Sequence, residues 1–241
     1  MIFSSLVACG PAISDETSGS GSSSGSSGPP PETTASSQTS TAEGESSTTG
    51  ADCTPYDDEP ASAEAVLQVH NVGDAAVLLE INCGWDFLRL RNIMEWAWPG
   101  PFCTDTCENQ RQYGCSVCGG CAEGAFLVIQ PGASLDFMWP GMLFETVTPP
   151  LACSGEYGFC EGSTCPMQRD PVGAGSVEVS VATVLQADCE ALAADPALCA
   201  CPDAQETCDT TVDLTEQPSQ TTATTRFAPG SDTVVVIEVG A

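Results

Sequence analysis

The sequence predicts an all-β domain, an antiparallel β-sandwich, behind a disordered N-terminal tether. Three observations predict it. Apolar and polar residues alternate with period two over short stretches from residue 65 to the C-terminal end, the pattern of strands with one buried face. Turn pairs, Gly73-Asp74, Pro131-Gly132 and Pro229-Gly230, punctuate those stretches; such residues supply the dihedral angles that tight turns need. Of the 15 cysteines, 14 lie at or beyond residue 53, mostly between the alternating stretches. Long loops without regular structure are uncommon unless something orders them, and disulfides do so.

Taken in order, residues 1–9 read Met-Ile-Phe-Ser-Ser-Leu-Val-Ala-Cys. The apolar part is shorter than a complete signal peptide and lacks its basic start, so a truncated signal segment is expected, with the true start upstream. Leu6-Val7-Ala8-Cys9 resembles the lipobox of bacterial lipoproteins. That resemblance implies cleavage behind Ala8 and acylation of Cys9, and several acyl chains together give stable anchoring. Gly10, in place of Asp, implies by the same resemblance the outer membrane. Beyond Cys9 no other apolar run approaches the ~20 residues that span a bilayer. Residues 10–52 are a low-complexity tether: 20 of these 43 residues are Ser or Thr, and none is aromatic or basic. Such a segment cannot bury enough apolar area to offset its chain entropy, and as a coil it spans about 35 Å. Gly21-Ser22-Ser23-Ser24-Gly25 matches a nucleophile elbow by letter, but that motif needs a strand before it and a helix after it, and this tract supplies neither.

The cysteine-rich domain is expected over residues 53–241. A first strand covers 65–71, with Leu67 and Val69 inward and Gln68 and His70 outward. The second covers 75–81, with Val77, Leu79 and Ile81 on one face. The third, 87–91, sets Leu88 and Leu90 against Arg89 and Arg91. Residues 92–124 lose the alternation and hold Cys103, Cys107, Cys115, Cys118 and Cys121. Strand character returns at 126–129, and Pro131-Gly132 fits a type II turn. Leu135, Phe137 and Trp139 alternate on the way back, and 142–147 is a further strand. Residues 149–171 form a second irregular excursion, with Cys153, Cys160 and Cys165. Residues 176–184 are a strand with Val177, Val179 and Val181 inward. A short helix over 188–194 sits in a third stapled loop with Cys189, Cys199, Cys201 and Cys208. Residues 221–227 and 233–239 close the chain as a hairpin. Eight or nine strands with almost no helix make a sandwich, immunoglobulin-like in the broad sense; a β-barrel is the alternative.

Setting Cys9 aside leaves 14 cysteines, enough for seven bridges, with Cys53 and Cys83 lying outside the three loops. Two of the three loop groups hold odd numbers, so at least one bridge joins different groups if all pair. Pairing beyond that is not deducible. Oxidised cysteines at this density belong outside the reducing cytosol.

Charge narrows the partners. Lys and Arg total 5, all Arg, against 33 Asp and Glu, for a net charge of -28. That charge repels phosphate backbones and argues against nucleic acid. Absence of Lys removes a P-loop, a Schiff base and a Lys general base. His70, the single histidine, reads as a residue of a polar strand face. Cys115, Cys118 and Cys121 have C-x-x-C-x-x-C spacing, which suits one metal ion or a redox dithiol. The ferredoxin pattern fails because the next cysteine is Cys153. Asp57-Asp58-Glu59 and the group Asp203, Glu206 and Asp209 lack EF-hand spacing and read as solvated surface. Trp139 reads as core, while Trp96 and Trp98, in a loop, are candidates for ligand binding.

The expectation is a lipid-anchored protein of the cell envelope, at the outer membrane or cell surface. It is a non-enzymatic binding or structural module with no cofactor. Its partners are the membrane, through the anchor, and a protein or glycan ligand; the oligomeric state is not read. Beyond the signal segment the chain resembles, loosely, cysteine-rich extracellular β-sandwich modules. One alternative is a metal-binding or redox protein using the cluster at residues 103–121, and another is a secreted hydrolase with paired carboxylates.

Overall fold

A computed structural model describes residues 52–81, 85, 87–98, 100, 105–115, 124–155, 158–160, 162–202 and 205–240. The signal segment with Cys9, and the tether up to residue 51, lie outside them, as do Cys83, Cys103, Cys118 and Cys121.

The strands are β1 (Ala65–Asn71), β2 (Val77–Glu80), β3 (Leu88–Asn92), β4 (Ala97–Trp98), β5 (Ala125–Ile129), β6 (Ser134–Trp139), β7 (Leu143–Val147), β8 (Cys165–Arg169), β9 (Val177–Leu185), β10 (Thr207–Thr211), β11 (Gln220–Phe227) and β12 (Val234–Val239). Two helices, α1 (Cys107–Tyr113) and α2 (Gln186–Leu192), interrupt them. Three strands form one sheet in the order β12-β1-β6, and nine form the other. In the larger sheet β9 is the hub: β2 and β3 share one of its edges and β11 takes the other. Beyond β2 lie β5 and β10; beyond β3 lie β4, β7 and β8.

The two sheets bury one core between them. Leu67 and Val69 of β1, Phe137 and Trp139 of β6 and Ile237 and Val239 of β12 meet Val77, Leu79, Leu88, Leu90, Val177, Val179 and Val181 of the larger sheet. Alternation along β1, β3 and β12 thus reports a half-buried surface, as expected for a sandwich. In β2 the alternation misleads. Leu78, expected outward, is fully buried in a second cluster with Phe126, Val128, Val184 and the Cys189–Cys199 bridge. The loop carrying α2 folds over this part of the sheet's outer face, so both faces of β2 are buried.

The turn at Pro131-Gly132 is as expected: Ala133 N donates to Gln130 O at 3.0 Å and Gly132 has φ 75°. It does not close a hairpin, because β5 belongs to the larger sheet and β6 to the smaller. The last two strands correct the sequence reading in the same way. β11 pairs with β9, and β12 runs parallel to β1. Alternation tells which side of a strand is buried; it does not tell which neighbour completes its edge.

The irregular excursions also hold more structure than expected. Helix α1 starts at Thr106, whose hydroxyl accepts from Asn109 N, and ends at Gly114 with φ 78°, the usual chemistry of a helix start and stop. β4, β8 and β10 are further strands there, each only two to five residues long. Five disulfides join described residues. Cys53–Cys153, Cys107–Cys165 and Cys115–Cys160 tie the start of the domain and the first two excursions together; Cys189–Cys199 and Cys201–Cys208 close the third loop on itself. Bridges of this number belong to an oxidising, extracytoplasmic environment.

Candidate functional site

The outer face of the larger sheet is covered around β2 but open around β3, and the open part carries most of the molecule's positive charge. Leu88 and Leu90 point into the core, so Arg89 and Arg91 must point out, and both are exposed. The antiparallel register sets Arg89 beside Ser180 and Arg91 beside Glu178 of β9. On the far side of β9 the same two residues face Thr224 and Arg226 of β11. Two rows result, Arg89-Ser180-Thr224 and Arg91-Glu178-Arg226.

The charges in these rows are unevenly matched. Arg226 donates through Nε and Nη2 to Glu178 Oε2 at 3.0 and 2.8 Å. Thr224 Oγ1 lies 3.3 Å from Ser180 Oγ. Neither Arg89 nor Arg91 has an ion-pair or side-chain hydrogen-bond partner among the described residues. Three of the chain's five basic residues stand in these rows beside one acid, in a protein with 33 acids. The local balance is therefore the reverse of the global one.

An open cleft of about 550 Å³ runs beside the arginines. Its walls are Trp85, Arg89, Arg91, Ala97, Glu178 and Ser180; Leu88, Leu90 and Trp98 border it, but their side chains are buried in the core. Trp85 adopts φ 58°, an uncommon and strained backbone state for a bulky residue. Its ring is clamped by Phe137 at 5.1 Å, Trp98 at 5.9 Å and Phe87 at 6.4 Å. The strain is thus held by core packing, and the half-buried indole forms a fixed wall. Such a site has the volume of a small-ligand cleft and offers guanidinium, hydroxyl and indole groups.

The residues singled out from the sequence fall elsewhere or change role. Trp98 is only 4% exposed and packs in the core, so it is no exposed platform. Trp96 lies under the guanidinium of Arg169, 5.7 Å from the ring centre. Cys115 is bridged to Cys160, which removes the first of the three thiolates from the metal or redox alternative; Cys118 and Cys121 lie outside the described residues. His70 sits on the outer face of β1 with Nδ1 2.8 Å from Ser134 Oγ. Glu206 and Asp209 are exposed, and Asp203 lies outside the described residues.

The acidic run 57–59, read as solvated surface, is a clasp. Asp57 pairs with Arg111. Asp58 accepts from Gln168 N at 2.9 Å and from Thr106 Oγ1 at 2.5 Å. Glu59 and Glu145 flank Arg169, each at 2.7 Å. Partial burial opposes the charge of Arg169, but Glu145 and Glu59 outweigh it and hold its pKa above the ordinary value. Trp85, Arg89 and Arg91 are not singled out as a site by the sequence motifs. A signal was available: two of only five cations alternate with core leucines on one strand face. No protein-family model matches this chain, and neither a similar curated protein nor a similar solved structure was found, so the site stands on its own geometry.

Proposed function

We propose that this protein is a lipid-anchored module of the bacterial cell envelope, at the outer membrane or cell surface, that holds a ligand in the cleft between β3 and β9 without transforming it. The observation that carries the binding reading is the pair of exposed guanidiniums, Arg89 and Arg91, which have no acid partner among the described residues, beside Trp85 on its strained backbone. The other three arginines, Arg111, Arg169 and Arg226, all have carboxylate partners. Glu178, the carboxylate among the cleft's described residues, is taken by Arg226, so those residues do not assemble the pair of acids that a glycoside hydrolase uses. Anchoring rests on Leu6-Val7-Ala8-Cys9 and the Ser- and Thr-rich tether, and the disulfides agree with the compartment. Metabolic labelling with a palmitate analogue tests the anchor. Label is expected on the intact protein and absent from Cys9→Ala; equal label on both would end the reading.

A further inference from the structure

We infer that the arginine cleft takes a carboxylated saccharide, a short run of uronic-acid units. This rests on the reading of the cleft as a binding site and names its ligand class. Arg89 and Arg91 are two apart on one strand face, so their stems are roughly 7 Å apart. Each planar guanidinium fork matches one carboxylate with two parallel hydrogen bonds. Two forks at this separation answer acid groups on neighbouring or alternate sugar rings. Ser180 and Thr224 continue the surface with hydroxyl groups, suited to the hydroxyls of a sugar. The half-buried indole of Trp85 at the cleft wall offers a surface to the less polar face of a ring.

Competing ligand classes fit less well. A neutral saccharide leaves both guanidiniums unanswered. Nucleic acid carries one charge per about 1.7 Å of duplex axis, far more than two free arginines neutralise against a net charge of -28. An acidic peptide brings carboxylates, but extended peptides commonly dock by adding a strand to a free sheet edge. Little such edge is offered here among the described residues: β9 is flanked by β3 and β11, and β3 by β9 and, at Leu90 and Arg91, by β4.

The test uses the full chain and follows tryptophan fluorescence and calorimetric heat. The probes are trigalacturonate, its methyl ester, a poly-glutamate peptide and inorganic phosphate. Trigalacturonate is expected to bind, with the ester at least tenfold weaker. The double variant Arg89→Ala, Arg91→Ala should weaken trigalacturonate by at least tenfold while keeping the wild-type circular dichroism. Phosphate should fail to displace the saccharide. Equal binding of the ester, or displacement by phosphate at equal concentration, overturns the inference. If poly-glutamate binds in an arginine-dependent way and trigalacturonate does not, the ligand class is wrong and the cleft reading survives. If no probe depends on Arg89 and Arg91, both fall.

Discussion

Arg111 and Arg169 at one end of the larger sheet, and Arg89 and Arg91 near its middle, are the same residue type put to opposite uses. The first pair is locked. Arg111 pairs with Asp57, and Arg169 lies between Glu59 and Glu145 over the ring of Trp96. Three disulfides with sequence separations of 100, 58 and 45 cross the same region. The second pair stands exposed beside a cleft, with no carboxylate partner among the described residues. In a chain with 33 acids and 5 bases, a partner for each arginine is easy to find. Where none has been placed, the cation is available to something else. Cross-links and matched charges mark the part that holds the fold; the exposed arginine pair on the rigid sheet is, in the function proposed above, the part that meets a ligand.

The strongest way to break this contrast is to cut a long bridge. Replacing Cys107 and Cys165 together by Ala removes a buried bridge of separation 58 and is expected to cost about 3–4 kcal/mol, read as a lowered urea midpoint. Removing Cys201 and Cys208, separation 7, should cost less, about 2 kcal/mol. Equal losses would mean that span does not set the contribution. Next comes Arg169→Ala, which leaves Glu59 and Glu145 without their shared cation and is expected to destabilise by about 1–2 kcal/mol. Third, Arg89→Ala with Arg91→Ala should change stability by no more than about 0.5 kcal/mol. A larger loss would show that these arginines support the fold and would erase the distinction. Fourth, Arg226→Ala breaks an ion pair whose arginine is 71% exposed, so about 0.5 kcal/mol or less is expected, shrinking further in high salt.

The smallest effect lies at the domain's start. Hydrogen bonds from the side chain and then the backbone N–H of Thr54 hold the Asp52 carboxyl below its ordinary pKa. A depressed folded-state pKa adds stability above the unfolded value, and this is lost as pH falls through the folded one. Acid titration of the unfolding midpoint should therefore show a slight extra loss below the ordinary carboxylate range, absent in Asp52→Asn.

Much of the fold was legible beforehand. The bounds 65–71 for β1 were read correctly, as were the inward faces of β3, β6, β9 and β12, because each strand buries one side and water sorts the residues. The type II turn was legible because Pro and Gly leave few alternatives. Helix α1 was overlooked although Thr106 and Gly114 bound it; at seven residues it shows no clear apolar stripe. Of the site, Arg89 and Arg91 were seen to face outward, yet nothing local said that no acid would meet them.

Residue order alone thus settled the long one-sided strands, their buried faces, the oxidising setting and the scarcity of cations, since these follow from period, turn chemistry and composition over a few neighbours. Which strands share an edge, which cysteines join and which arginines go without an acid depend largely on residues far apart in the chain, as in Gln220 reaching Glu80 across 140 positions or Cys53 joining Cys153 across 100. Those pairings are chosen by burying the most apolar surface at once, a property of the whole packed chain that no single stretch encodes.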